Sequence, residues 1–315
     1  MLRLQKCAEL RLLDKPIFLA LGVFDGVHRG HAAVIGEAIA MAHRAGGLAG
    51  VVTFEPHPMR VLAAERAPKK LLASLEHKAR LLADLGVDFL LAVDFTEEFA
   101  RTSAGDFLSE LLASGKVRGI SVGQDWRFGR GREGDARMLA EVAREVGVEL
   151  RVAAAVAYEG ERISSTRIRS AIAKGHLDIA AKMLGRRYAV EGWVVKGQQM
   201  GRTLGFPTAN VALADEQLPP DGVWVVRVKS GSGRGGSSWQ GVANLGFRPT
   251  VNGAARVLEV HIFDFSGDLY GKWIECEFLA HLRDEKKFSS LEELREQIGR
   301  DRDAARGYFS DLIVG

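Results

Sequence analysis

Gly22-Val23-Phe24-Asp25-Gly26-Val27-His28-Arg29-Gly30-His31 decides the fold of this chain. The apolar run before it, Ile17 to Leu21, is β-rich and long enough for a buried strand. After it, Ala33, Val34, Ala38, Ile39 and Met41 recur at helical spacing. The stretch reads as strand, glycine-rich turn and helix start. An α/β fold puts its anion site there, because free backbone N–H groups and the helix dipole both favour negative charge. Gly26 and Gly30 let the backbone approach a ligand closely. His28 and His31, three apart, share a face of the opening turn and can hold phosphate oxygens. A zinc pair competes with this reading, but no cysteine or obvious carboxylate set completes a ligand list. A plain turn with surface histidines is the other rival, and the glycines and Asp25 packed around both histidines weigh against it.

Working outward, Leu48 to Phe54 is a second β-like run ending in Thr53-Phe54-Glu55-Pro56-His57-Pro58. Two prolines one residue apart predict an extended, rigid loop at a strand end, where an open parallel sheet binds ligands. Leu75 to Leu85 reads as an amphipathic helix, Phe89 to Val93 as a strand, Ala104 to Leu112 as a helix and Gly119 to Val122 as a strand. The alternation predicts a doubly wound parallel sheet. Gly123-Gln124-Asp125-Trp126-Arg127-Phe128-Gly129-Arg130-Gly131 is then a strand-end loop whose aromatics suit a planar ring or a hydrophobic latch. Ile163 to Arg169 opens a further helix, with Ser165 as a natural N-cap. Ser165, Thr166 and Arg169 would converge near that helix N-terminus, a second anion site.

Past Leu184 the character changes. Ala189–Val195, Val223–Val228, Gln240–Leu245, Val257–Phe265 and Trp273–Leu279 read as strands, predicting an antiparallel barrel or sandwich closed by a helix over Ser290–Ile298. A length of 315 residues suits two domains, here 1–184 and 185–315. Gly231 to Gly236 satisfies G-x-G-x-x-G, but no helix follows, so it reads as a hairpin loop. Gly201-Arg202-Thr203-Leu204-Gly205-Phe206-Pro207-Thr208-Ala209-Asn210 is a folded loop whose amides could cradle phosphate. Thr208 and Asn210 fall on one face if extended, and such hard oxygens suit Mg²⁺. Glu259 and His261 share a strand face opposite Leu258, Val260 and Ile262. Alternation alone makes Glu259 an ordinary solvent-facing carboxylate.

Composition narrows the class. A net charge of +3 over 43 basic and 40 acidic residues gives no argument for nucleic-acid or membrane binding, though it suits a phosphate-rich small substrate. Cys7 and Cys276 form no metal or redox motif and read as reduced thiols. Met1 to Leu13 lacks a signal-peptide core and no run reaches transmembrane length, so a cytoplasmic protein is expected. Oligomeric state is left open, a homo-oligomer included.

Gly-x-Phe-Asp-Gly-x-His-x-Gly-His resembles the signature of the HxGH nucleotidyltransferases, specifically the adenylyltransferase half of prokaryotic bifunctional riboflavin kinase/FAD synthetases. Gly201–Asn210 closely resembles the riboflavin kinase signature. Gly241–Thr250, Leu258–Ile262 and Phe265–Gly271 add matches in family order, with Trp224 where a tyrosine is usual. The resemblance implies a Rossmann-like nucleotidyltransferase domain followed by a β-barrel kinase domain. It implies phosphorylation of riboflavin to FMN and adenylation of FMN to FAD, with ATP as co-substrate, Mg²⁺ as cofactor and pyrophosphate released. In the first domain it assigns ATP binding to Gly22, Phe24, Asp25, Gly26, His28, Gly30, His31, Asp125, Ser165, Thr166 and Arg169, the two histidines and Arg169 being catalytic. It puts flavin near Phe54, Pro56, Pro58 and Phe128. In the second it assigns ATP binding to Gly201, Gly205, Phe206, Pro207, Thr208 and Asn210, Mg²⁺ to Thr208 and Asn210, flavin contact to Asp301 and Arg306, and the catalytic base to Glu259.

Three rivals remain at this level. A kinase with an idle N-terminal half is opposed by three intact N-terminal signatures. A flavin-binding regulator is opposed by Glu259 with Thr208 and Asn210. An RNA-directed ligase of the same superfamily would need a basic, salt-sensitive surface that the charge balance does not suggest.

Overall fold

A computed structural model of the chain describes residues 1–197, 200–231, 236–250 and 253–314, with backbone alone at 200, 202, 248–250, 253–255 and 312–314. It divides into two compact units, Met1–Arg167 and Ile168–Gly315.

The first unit runs β1 (Leu2–Leu4), β2 (Ile17–Leu21), α1 (Arg29–Ala45), β3 (Leu48–Glu55), α2 (Pro58–Leu62), α3 (Leu75–Asp84), β4 (Phe89–Asp94) and α4 (Ala104–Leu112). There follow β5 (Val117–Gly123), the short pair β6 (Arg127–Phe128) and β7 (Gly134–Asp135), α5 (Ala136–Glu145), β8 (Glu149–Ala153), and the short pair β9 (Ala157–Tyr158) and β10 (Glu161–Arg162). Helix α6 (Ser165–Ala173) crosses the division.

Six strands pair in parallel in the order β1-β4-β3-β2-β5-β8. From β2 the chain winds through β3 to β4 on one side, then crosses to β5 and β8 on the other. The strand order therefore reverses between β2 and β5, and the crevice beyond their carboxyl ends is where such a sheet binds ligands. Every residue of β2 is buried, as a strand covered on both faces must be. Ile17, Leu19 and Leu21 pack on one side with Phe107, Leu108 and Leu111 of α4 and Leu139 of α5. Ala20 packs on the other with Val34, Ile35 and Ala38 of α1 and Ala79 and Leu82 of α3. Helix α1 stops at Gly46, whose φ of 61° suits a residue without Cβ.

Two local expectations are corrected. Pro58 does not extend a rigid loop but opens α2, because proline's missing N–H costs nothing at the first helical position. His57 Nδ1 caps that helix, accepting the Met59 N–H at 3.2 Å. Ser165 is not the cap of α6 but its first residue. Ser164 Oγ accepts the Arg167 N–H at 3.3 Å, and Ser165 Oγ donates instead to the Asp25 carbonyl at 3.0 Å.

The second unit continues with α7 (Leu177–Leu184), β11 (Ala189–Val195), α8 (Met200–Thr203), β12 (Ala209–Leu213), β13 (Gly222–Ser230), β14 (Ser237–Thr250), β15 (Gly253–Ile262), β16 (Trp273–Arg283) and α9 (Leu291–Val314). The strands form a closed antiparallel barrel in the order β11-β12-β15-β14-β13-β16, so the architecture is a barrel and not a sandwich. Trp224 is buried and its indole N–H donates to the Pro220 carbonyl at 3.1 Å, which accommodates the departure from tyrosine. Ser232–Gly235 of the G-x-G-x-x-G decoy lie outside the described residues; β13 and β14 pair antiparallel on either side of them. Strand β15 ends at Ile262, short of the Phe265 expected. Helix α9 runs well past Ile298, because Asp301, Ala305 and Phe309 continue a buried stripe at a spacing of four.

Cys7 and Cys276 are buried, and burial pushes both thiols upward, Cys7 to about 12. The native protein should therefore resist a thiol-specific reagent that labels both cysteines after denaturation. Rapid labelling of either thiol without unfolding would contradict this.

Candidate active sites

In the first unit the turn after β2 folds tightly. Phe24, Gly26 and Val27 have φ of 51°, 77° and 41°, a left-handed conformation that a β-branched residue adopts only when its surroundings impose it. A Cβ on Gly26 would lie 2.6 Å from Leu72 Cβ. Asp25 is buried, and its Oδ1 accepts the Leu72 N–H at 2.8 Å, so its carboxylate braces the turn. At the end of the turn His28 caps α1, Nδ1 accepting the His31 N–H at 3.3 Å. The two imidazoles stack, centroids 3.5 Å apart and planes 18° from parallel, with Phe24 edge-on to His31 at 5.3 Å.

These groups border a cavity of about 780 Å³ at the switch point of the sheet. Of the residues singled out from sequence, Gly22, Phe24, Asp25, His28, Gly30, His31, Phe54, Pro58, Asp125, Phe128, Ser165 and Thr166 line it together. Gly26 and Pro56 do not line it, and Arg169 is half-buried, one turn beyond Ser165 on α6. The cavity is amphipathic. On its apolar side Phe54 meets Phe95, Phe99 and Phe107 with centroids 5.8, 6.0 and 6.3 Å away. Trp126 stacks on Phe128 at 4.3 Å. On its polar side Arg162 grips Asp125 through two hydrogen bonds of 2.6 and 2.7 Å, and this pairing holds the Asp125 carboxyl below the usual carboxylate range. Phe95, Phe99, Trp126 and Arg162 were not singled out as site residues from sequence. Phe95 and Phe99 follow β4, so the strand-end rule that flagged the β3 and β5 loops pointed to them as well.

In the second unit Gly201–Asn210 is partly helical, its first turn forming α8. The Phe206 N–H donates to the Gly201 carbonyl at 2.7 Å, and Gly205 has φ of 86°. A Cβ on Gly201 would lie 2.4 Å from the Phe206 carbonyl oxygen, so glycine is needed for the fold of this loop. Asn210 on β12 stands directly across from Glu259 on β15, and Asn244 on β14 stands across from Glu259 on the other side. Cross-strand partners share a face, so the three form one row. Asn244 was quoted within a motif but not singled out. Leu258, Val260 and Ile262 are buried while Glu259 and His261 are partly exposed, as the alternation predicted. His261 Nδ1 lies 2.9 Å from the Pro207 carbonyl, which can only accept, so Nδ1 carries the proton. Burial holds the imidazole below its ordinary pKa, against the Pro207 hydrogen bond, with Arg302 and Arg306 adding to the lowering.

The C-terminal pair separates. Asp301 is buried and bound by Arg283 at 2.7 and 2.9 Å, with Gln297 donating to it at 2.8 Å. Arg306 is exposed; it lies 4.8 Å over the Phe263 ring and pairs with Asp264 at 2.7 Å. Arg302 lies 5.6 Å over Phe206, linking α9 to the glycine loop.

A histidine pair at the switch point of an α/β unit, where such sheets bind ligands, and an oxygen-rich row beside a glycine loop on a barrel describe a two-domain protein with a candidate site in each unit. A family model described as FAD synthetase matches residues 11–167, and one described as riboflavin kinase matches residues 184–309. A bifunctional riboflavin kinase/FMN adenylyltransferase of Escherichia coli K12 is 42% identical over 92% of this chain and 92% of its own length. One of Bacillus subtilis is 36% identical over 93% of each chain. The crystal structure of a Streptococcus pneumoniae protein described as a macrolide-efflux protein superposes with a TM-score of 0.81 at 30% identity, covering 97% of this chain and 98% of that one. The chain belongs to the bifunctional riboflavin kinase/FMN adenylyltransferase family.

Proposed function

We propose that the chain makes FAD from riboflavin in two steps with separate sites: residues 185–315 phosphorylate riboflavin to FMN, and residues 1–184 adenylate FMN to FAD and release pyrophosphate. ATP is the co-substrate of both. What supports this reading is that the stacked His28 and His31 line a large cavity in the first unit, while Asn210, Glu259 and Asn244 form one cross-strand row in the second.

The chemistries need different equipment. The kinase nucleophile is an alcohol, and Glu259 takes the proton from the ribityl 5′-hydroxyl as its oxygen attacks the γ-phosphate. The adenylyltransferase nucleophile is a phosphate with a second pKa near ~6, already mostly ionised at neutral pH. That site needs no base, only positioning and charge stabilisation from His28, His31 and Arg169. Gly22, Gly30, Asp125, Ser165 and Thr166 complete its nucleotide side; Phe54, Pro58 and Phe128 offer an apolar wall to the flavin. In the kinase, Gly201, Gly205, Phe206 and Pro207 shape the phosphate loop, and Arg306 stands at its flavin end. Asp301, bound to Arg283, supports that end by anchoring α9.

Thr208 and Asn210 fit Mg²⁺: hydroxyl and amide oxygens, beside a carboxylate and with no thiolate, are the hard donors this ion takes. Held by Thr208 and Asn210, Mg²⁺ would supply positive charge to offset that of the phosphates. The reading places the enzyme in the cytoplasm with small molecules, rather than nucleic acid or membrane, as partners, and is compatible with a homo-oligomer. No helix among the described residues is long and apolar enough to cross a membrane.

The test is a chromatographic time course from riboflavin and MgATP, with a parallel run from FMN. FMN followed by FAD is the expected result. FMN alone, with no FAD even from added FMN, would replace this reading with a kinase whose first site is idle.

A further inference from the structure

Lys78 is a buried cation to which the proposed chemistry gives no role. Lys78 on α3 is 4% exposed, with no solvent to carry its charge. Its Nζ donates to the Val23 carbonyl at 2.9 Å and lies 3.4 Å from Thr53 Oγ1. Thr53, in β3 and fully buried, donates its hydroxyl to the same Val23 carbonyl at 2.8 Å. Burial pulls the ammonium below its ordinary pKa, while the carboxylates of Asp25 and Glu55 pull the other way.

What these bonds hold is specific. Val23 immediately precedes the left-handed run of Phe24, Gly26 and Val27, and that run delivers His28 to the head of α1. Such a backbone persists only where its surroundings over-determine it. The turn is held from three directions: Lys78 and Thr53 at Val23, the Leu72 N–H at the Asp25 carboxylate, and Ser165 at the Asp25 carbonyl. The Lys78 hold is a costly one, since a buried ammonium is poorly suited to mere filling and an apolar side chain would pack there without desolvating a charge.

We propose that Lys78 is a positioning residue for adenylyl transfer: it reaches from α3 to the Val23 carbonyl and pins the turn that sets His28 and His31 against the nucleotide. This inference rests on the role given to the two histidines above. Lys78 does not line the cavity and acts through the turn.

The experiment uses the full chain carrying Lys78→Met, His28→Ala, or both. For Lys78→Met, kcat for FAD formation should fall roughly a hundredfold, as a displacement near 1 Å can cause, with KM for FMN and ATP within about threefold. Riboflavin phosphorylation should be unchanged. Because Lys78 acts through His28 and His31, the loss in the double variant should fall well short of the product of the two single losses. Multiplying losses, or a rise in KM with kcat intact, would overturn the inference in favour of general structural damage. Full activity of Lys78→Met beside a crippled His28→Ala would overturn this inference alone; full activity of His28→Ala would overturn the site reading and this inference together. Should Lys78→Met fail to fold, Thr53→Val carries the test. It removes the other donor to Val23 and should lower kcat roughly fivefold, the worth of an ordinary hydrogen bond, again with KM held. An unchanged kcat in that variant would overturn the inference.

Discussion

His28→Ala is expected to slow FAD formation from FMN and ATP by roughly 10²–10³-fold, the cost of removing one preorganised group from developing charge. Riboflavin phosphorylation by the same preparation should stay near its original rate. The ring does two jobs that the experiment must separate. It is a helix cap through Nδ1, a role worth about 0.5–2 kcal/mol to the fold. It is also half of the stacked pair, so its loss removes the partner that fixes the plane of His31. His28→Asn restores a side chain that caps well but lacks an imidazole. That variant should recover thermal stability without recovering FAD formation. Recovery of both would reduce His28 to a cap, and equal loss of both activities in a folded protein would sink the division of labour.

The mirror result is expected at Glu259. Glu259→Ala should lower FMN formation by roughly 10²–10⁴-fold, the usual contribution of a general base, while FAD formation from supplied FMN continues. The register makes the position hard to replace. Glu259 is flanked across both neighbouring strands by Asn210 and Asn244, and amides can orient a carboxylate but cannot take a proton from an alcohol at neutral pH. Glu259→Gln keeps the shape and should be nearly as impaired as the alanine variant. A Gln variant with most of its kinase activity intact would mean that the residue positions substrate and that the proton leaves by another route.

Much of this was legible in the sequence because the informative segments obey local rules. The β2 run, the turn after it and the period of α1 are readable in order, and α4 was bounded correctly from its apolar spacing. Helix α5 and strand β8 were passed over for a physical reason. Only Leu139 and Ala143 of α5 are buried, and β8 exposes Glu149, Arg151 and Val152, so neither pattern repeats clearly. Helix α9 was cut short because Gly299 and the charged residues after it interrupt the apolar count, while the buried stripe resumes at Asp301 with a carboxylate that Arg283 and Gln297 make tolerable. The cavity's histidines, glycines and serine could be gathered by strand-end reasoning. The Arg162 grip on Asp125 and the Lys78 reach to Val23 could not, since each joins residues tens of positions apart whose meeting depends on the finished sheet.

The strand arrangement also bears on edge-to-edge pairing between copies of the chain. A closed barrel presents no rim of unsatisfied amides, but an open sheet always has two. Here one rim, β1, is three residues long, too short to template much. The other, β8, carries Glu149 and Arg151 outward, joined to each other and to Arg44 by ion pairs of 2.7 and 3.3 Å. Those charges contribute little to stability, yet a recruited strand would have to desolvate them. Glu149 and Arg151 do not line the cavity of the first unit, so a redesign guided by activity alone would leave them unprotected.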